Sequence, residues 1–380
     1  MKCFSVGIPC NIDFDEYKKK ICFCSTQIQK YEIVEDTLKV FCCDDADIAS
    51  IKKKIERSLV NSEQKLKKDV CLFSNNTNKR SYSNLRSLEN MIIKLGEGEI
   101  ALHGKAVMLF DYFDSVFEKM AISLGAVKQR YPVLLGIDTI KKTGYFRRTP
   151  QYSIFCCNLE EDFEKLSRMR NDKFCDEHID SIMEKPRLSL SPSACFHTYE
   201  RYKNQTLDDC MVVTFNQSVF RNEGRLNWNE FGRLRDYHVR EIVFFGDQEF
   251  VEDLREKFLE KVENLVNILN LNTDILIASD AFIMPKMEKF KLIQLNERSK
   301  YELKLYYNDE KALAAASFNL HGTAFTKPFN IKIRNVNYPV TGCIGFGIER
   351  WVLGFLAQYG LCEKKWPKDV RNYISKCENQ

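Results

Sequence analysis

An α+β fold, a mostly antiparallel sheet flanked by helices behind a small N-terminal α+β extension, is what this 380-residue chain predicts. Three observations lead there. Val212 to Phe220 and Glu241 to Phe245 are strand-like runs joined by a long polar loop, the pattern of an antiparallel hairpin. From about Ile100, the residues Leu109, Phe110, Phe113, Val116, Phe117, Met120 and Ala121 recur at helical spacing. The stretch from Thr341 to Gly360, TGCIGFGIERWVLGFLAQYG, places Gly345 and Gly347 before an apolar helical run, so a strand can end in close contact with a helix start.

Taken in order, residues 1–68 contain strand-like pieces near Lys2–Pro9 and Leu38–Cys42 and a helical stretch from Ala46 to Val60, a small α+β extension. Its acidic and basic residues nearly balance, which argues against an RNA-gripping arm. Residues 69–89 are rich in Asn, Ser and Lys and read as a linker or loop. Residues 90–380 form the main domain. Its long helix leads to Arg130-Tyr131-Pro132-Val133, a strand-like piece ending near a proline. Asp162–Glu184 and Glu249–Leu269 read as further charged amphipathic helices.

Composition narrows the class. A formal charge of +4 is weak for this length and does not suggest a dedicated nucleic-acid surface. There is no apolar run of membrane-spanning length, and the N-terminus lacks the apolar core of a signal peptide. The 15 cysteines include the vicinal pairs Cys42-Cys43 and Cys156-Cys157 and no C-x-x-C pair. The simplest reading is a cytoplasmic protein with free thiols and one metal site.

The chemistry concentrates at two places. In Gly345-Phe346-Gly347-Ile348-Glu349-Arg350, Arg350 sits in the first helical turn, beside backbone N–H groups that favour anions, and is placed to hold a polyphosphate. The hairpin carries Phe220-Arg221-Asn222-Glu223 before its loop and Gly232-Arg233-Leu234-Arg235-Asp236-Tyr237 after it. A solvated charged hairpin is the plain alternative. These segments resemble motifs 3 and 2 of the class II aminoacyl-tRNA synthetases, in the right order, and the helix and strand from about Leu109 to Pro150 resemble motif 1, the element through which that family pairs as dimers. The resemblance implies that Arg221 holds the α-phosphate of ATP, Glu223 accepts from the adenine amino group, Arg233 reaches the γ-phosphate, and Tyr237, where the family usually has Phe, stacks on the base. Arg350 also binds ATP, and Arg221 and Arg350 are the candidate catalytic residues.

Ser193-Ala194-Cys195-Phe196-His197 precedes the hairpin, and Ser317-Phe318-Asn319-Leu320-His321 precedes the glycine-rich turn. With these segments, the chain resembles the catalytic core shared by atypical archaeal seryl-tRNA synthetases and the amino acid–carrier protein ligases. That resemblance implies a Zn2+ held by Cys195, Glu241 and Cys343, binding the substrate's α-amino group, with Ser317 and Asn319 facing the amino acid. Two thiolates and one carboxylate leave a fourth zinc position open. A buried cysteine acting as a small hydrophobe is the alternative for any single one. His197 and His321 are weaker substrate candidates, and His238 reads as structural. The cluster Lys141, Lys142, Arg147 and Arg148 reads as solvated surface or part of a dimer seam.

Two departures from the family stand out. Its K-F-E/D-L pattern appears as Lys289-Phe290-Lys291-Leu292, and Ala312–Ala316 lacks an acidic residue for Mg2+. The function implied is ATP-dependent activation of a small amino acid, followed by transfer to the phosphopantetheine thiol of a carrier protein, by a homodimer. A tRNA-aminoacylating enzyme is the alternative, set second because no basic arm is evident. A catalytically silent binding module is the third reading.

Overall fold

The hairpin expected between Val212 and Phe245 forms the middle of the main sheet, and the rest of the fold is arranged around it. The computed structural model describes residues 1–10, 12, 14–61, 70–76, 80–170, 178–228, 230–280, 282–284 and 287–378.

The N-terminal extension has its own sheet and core. Strands β1 (Lys2–Gly7), β2 (Ile28–Val34) and β3 (Thr37–Cys42) pair antiparallel in the order β1-β3-β2. Leu38, Val40 and Cys42 alternate inward along β3 and meet helices α1 (Phe14–Ile21) and α2 (Ile48–Asn61) through Tyr17, Ile21, Ile51 and Ile55. β2 and α1 are additions to the elements read from sequence. Strand β4 (Cys71–Asn75) lies within the stretch expected as linker or loop and corrects that reading there. It pairs with β14 and sits at the main sheet's edge, where short strands are common.

A hairpin of β5 (Ile92–Gly96) and β6 (Glu99–Leu102) leads into α3 (Lys105–Ser123), then β7 (Val127–Lys128). β8 (Leu134–Gly136), β9 (Ile154–Cys156) and β10 (Leu188–Leu190) form a small sheet, with α4 (Ile137–Thr143), α5 (Tyr145–Arg148) and α6 (Phe163–Arg168) between them. The helix expected over Asp162–Glu184 is this short α6, followed by a single tight turn at Ile179–Ile182; residues 171–177 lie outside the described residues. Phe163 is 93% exposed, so α6 lays no apolar stripe on the core. Next come α7 (Phe196–Arg201), β11 (Thr206–Leu207), β12 (Met211–Phe220), β13 (Asp236–Gly246) and α8 (Gln248–Ile268). Asp247 caps α8 by accepting from the Phe250 N–H. The chain ends with β14 (Thr273–Ile277), α9 (Glu288–Asn296), β15 (Lys300–Tyr306), β16 (Ala312–Gly322), α10 (Thr326–Phe329), β17 (Lys332–Ile333), β18 (Val340–Gly347), α11 (Ile348–Tyr359) and α12 (Lys368–Glu378).

The main sheet has eight strands in the order β4-β14-β15-β16-β18-β13-β12-β7. Every pair is antiparallel except β7 with β12. Strand alternation separates its two faces. Ile242, Phe244, Ile344, Phe346 and Phe318 face α3, α8 and α11, where Phe117 stacks on Phe346 at 4.0 Å between centroids. Tyr237, Val239, Glu241, Val243, Phe245 and Cys343 face the other way, toward α7 and an open cleft. Among the described residues, no helix is long and apolar enough to cross a membrane.

Candidate active site

Cys195, Glu241 and Cys343 come together through the sheet register. Glu241 lies opposite Gly345 and Val243 opposite Cys343 in the β13–β18 pair, so Glu241 and Cys343 project from the same face. Cys195, at the start of α7, is brought down onto that face. Their ligand atoms all lie within 4.8 Å of one another, and all three residues are buried. Burial, reinforced by the Cys195 sulfur, pushes the Glu241 carboxyl well above the ordinary range. Two soft sulfurs and a carboxylate crowded into a buried point form a donor set that a divalent cation relieves, and the set suits zinc. A Cβ on Gly345 would stand 3.0 Å from Glu241 Oε2 and 3.2 Å from Val239 Cγ1, so the glycine keeps this floor open.

Several neighbours orient the set. Asn319 Nδ2 donates to Ser317 Oγ at 3.1 Å and lies 3.6 Å from Cys343 Sγ, while Ser193 Oγ is 3.3 Å from Cys195 Sγ. His321 lies with Nε2 3.6 Å from Cys343 Sγ and Nδ1 3.1 Å from Thr341 Oγ1. Burial drives its pKa down to about 3, so the ring is neutral. His197 is tied to the Leu134 carbonyl and the Gln217 amide away from the cleft, a structural position. His238 also is structural: it pairs with Glu349 at 2.7 Å and packs edge-on against Phe110.

The charged candidates lie along the same cleft, about 1450 Å³ in volume. Arg221 Nε donates to the Pro192 carbonyl at 2.9 Å, and its guanidinium lies 5.8 Å from the Tyr152 ring centre. Glu223 is buried and pairs with Arg233 at 2.7 Å; Arg233 also holds Glu230 at 2.6 Å. The Arg350 guanidinium covers the Tyr237 ring at 4.4 Å and donates to the Ala314 carbonyl at 3.2 Å. The structure therefore gathers Arg221, Glu223, Arg233, Tyr237 and Arg350 with Ser317, Asn319 and the three metal-ligand candidates around one cleft.

Lys289-Phe290-Lys291-Leu292 lies in the first part of helix α9. Strand β15 carries Lys300-Tyr301-Glu302-Leu303, and there the register sets Lys300 opposite Asn319 and Glu302 opposite Ser317. A lysine and a carboxylate thus stand on the cleft face beside the amino-acid candidates. Lys300 bridges Asp280 at 2.8 Å and Glu302 at 3.0 Å, and Gln294 donates to Asp280 at 2.9 Å. Burial works against the charge on Asp280, yet Lys300 holds its pKa below the ordinary carboxylate range. Asp280, Lys300 and Glu302 were missed as site residues. The alternation of Lys300, Glu302 and Lys304 with Tyr301, Leu303 and Leu305 is the signal for Lys300 and Glu302; Asp280 lies outside that strand.

This is the α+β catalytic fold of the class II aminoacyl-tRNA synthetases. The chain is related to the archaeal type-2 seryl-tRNA synthetases. It is 28% identical over 295 residues, 74% of its length, to the type-2 serine–tRNA ligase of Methanococcus maripaludis, and 27% identical over 274 residues, 69% of its length, to that of Methanocaldococcus jannaschii. It spans about half the length of these curated relatives, 57% and 52%. No family model matches the chain. Its backbone follows that of the M. kandleri SerRS, solved in complex with A. aeolicus tRNASec, with a TM-score of 0.71 at 18% identity, covering 99% of this chain and 78% of that one. For the Pyrococcus horikoshii seryl-tRNA synthetase complexed with ATP, the TM-score is 0.57 at 15% identity, covering 84% of this chain and 67% of that one.

Proposed function

We propose that this chain activates a small amino acid, serine being the first candidate, with ATP to give an aminoacyl adenylate and pyrophosphate. One observation carries the reading: a buried Cys195–Glu241–Cys343 donor set, its ligand atoms within 4.8 Å, faces a cleft that also gathers Arg221, Glu223, Arg233, Tyr237 and Arg350. Likeness to type-2 serine–tRNA ligases supports serine, and so do the polar Ser317 and Asn319 beside the donor set.

In this reading one carboxylate oxygen of the amino acid attacks the α-phosphorus. The bond from that phosphorus to the β-bridging oxygen breaks, and pyrophosphate leaves with the electron pair. Arg221 and Arg350 stabilise the charge that grows on the phosphate oxygens. Adenine enters between Tyr237 and the Arg350 side chain, which separate to admit it, and Glu223 accepts from its amino group. Arg233 turns toward the γ-phosphate. Cys195, Glu241 and Cys343 would hold Zn2+, which would supply a Lewis acid for the α-amino group. Ser317 and Asn319 orient the amino acid, so that much of the barrier is met by positioning. Mg2+ arrives with ATP. Glu223, Glu230, Asp280 and Glu302 in the cleft are already paired to Arg233 or Lys300, so the ATP phosphates and water would supply most of its ligands.

For the second step, the likeness to tRNA ligases supports a tRNA ribose hydroxyl as acceptor better than the carrier-protein thiol expected from sequence. The thiol stays as a second reading because the extension's charges nearly balance. Amino-acid-dependent pyrophosphate exchange across serine, alanine and glycine tests activation. Absence of exchange with all three in zinc-loaded protein overturns it. Incubation with labelled serine and either total tRNA or holo-carrier protein then separates the acceptors.

We further propose a homodimer that pairs through the α3 helix and the segment ending near Pro150. Val107 and Ile122 on α3, and Val127, Val133 and Leu134 after it, are exposed apolar residues of that region. Sedimentation at micromolar concentration is expected to give twice the chain mass; a monomer contradicts the pairing.

A further inference from the structure

The loop between β12 and β13, residues 221–235, reads RNEGRLNWNEFGRLR; its second half is seated on the main domain, with Leu234 buried and Phe231 stacked on Tyr307, whereas its first half, Arg221–Asn227, is polar apart from Leu226. A polar loop of this length is ordinarily mobile unless something external seats it. For the first half of the loop that support comes from the N-terminal extension. Arg225 Nη2 donates to the Ser25 and Thr26 carbonyls at 3.2 and 3.0 Å, and Asn227 Nδ2 donates to the Lys19 carbonyl at 3.2 Å. Leu226 packs into the extension's own core. Gly224 adopts a positive φ of 94°, and a Cβ there would meet Cys22 Sγ at 2.5 Å, so the loop backbone lies directly on the turn that ends α1.

A chain of alternating charges runs from this contact into the cleft. Lys18 Nζ pairs with Glu230 at 2.9 Å, Glu230 with Arg233 at 2.6 Å, and Arg233 with Glu223 at 2.7 Å. Lys18 and Glu230 are 19% and 27% exposed in their side chains, so the pair is screened less than a surface bridge. We propose that the N-terminal extension is a clamp on this loop and that Lys18 is a positioning residue for nucleotide binding, acting through Glu230 on Arg233 and Glu223. The role of Arg233 and Glu223 toward ATP is the reading given above, and the functional half of the proposal rests on it. The physical reason is charge accounting. For Arg233 to turn toward phosphate it must leave a carboxylate, and Lys18 keeps Glu230 paired when it does. Without Lys18, two carboxylates compete for one guanidinium and hold it back from the nucleotide.

The test uses the full chain with K18M, K18R and R225A. K18M is expected to weaken ATP binding, measured by calorimetry, about tenfold, the scale of one charge-assisted contact. The KM for the amino acid stays unchanged, and K18R restores ATP affinity. In the nucleotide-free protein, K18M and R225A are both expected to raise hydrogen exchange across residues 221–235 while the rest of the sheet keeps its protection. Unchanged loop exchange in K18M and R225A overturns the clamp, whatever the ligand. Raised exchange with ATP affinity unchanged in K18M overturns Lys18 as a positioning residue. A wild-type protein that binds no ATP sinks the nucleotide reading alone, and the exchange data still decide the clamp. Should K18M fail to fold, R225A carries the exchange measurement, because Arg225 reaches the extension from an exposed position.

Discussion

Replacing Cys343 with serine is expected to remove nearly all bound zinc and to abolish amino-acid-dependent pyrophosphate exchange, while the fold survives. Wild-type protein should carry about one zinc per chain. Cys343 contributes one of three donor atoms lying within 4.8 Å of one another, so its loss leaves two ligands, too few to retain the ion against buffer or chelator. The fold survives because the substitution is nearly isosteric and Glu241 has an escape: burial already drives its carboxyl pKa well above the ordinary range, so it takes up a proton once the cation is gone. Native mass spectrometry with circular dichroism reads both outcomes. Full zinc occupancy in Cys343→Ser refutes the donor set, and unfolding refutes the account of Glu241.

Arg350→Ala and Arg221→Ala are each expected to lower pyrophosphate exchange at least about a hundredfold, the scale set by loss of one charge-stabilising group at a reacting phosphate. The two variants differ in what else they disturb. The Arg350 side chain rests on Tyr237 and makes a hydrogen bond to the Ala314 carbonyl, so its removal leaves the sheet intact and isolates the catalytic term. Arg221 also ties the Pro192 carbonyl, which lies just before Cys195 in sequence, and sits beside the Tyr152 ring. Truncating Arg221 is therefore expected to loosen the turn that carries a metal-ligand candidate as well as the phosphate contact. Arg221→Lys, which keeps the charge and loses the planar fork, separates the two effects. Near-normal exchange in either alanine variant removes that arginine from the proposed chemistry.

The motifs were legible because their chemistry is local. Arg221 and Glu223 lie just past the end of one strand, Tyr237 and Glu241 on the next, and Arg350 in the first turn after a glycine pair; strand alternation and helix-start rules place each from neighbouring residues alone. The amphipathic α3 and α8 were legible for the same reason. Lys289–Leu292 sits on a helix, whereas Lys300–Leu303 alternates polar and apolar as a strand does, and that alternation was legible but not used. The β4 strand was hidden by its shortness and by the polar residues that follow it, because an edge strand is defined by the partner it meets.

What the sequence determined by itself is a set of short-range facts: an antiparallel hairpin with its arginines and glutamates, a glycine-opened strand-to-helix turn, and short segments around Cys195 and Cys343 that resemble those of a known family. Tertiary structure decided the rest. The β13–β18 register turned Glu241 and Cys343 to one face and let α7 deliver Cys195. The β15–β16 register set Lys300 and Glu302 beside Asn319 and Ser317. The packing of the extension joined Lys18 to Glu230 across some two hundred residues of chain. Contacts of that kind depend on which faces meet after folding, and no local periodicity encodes them.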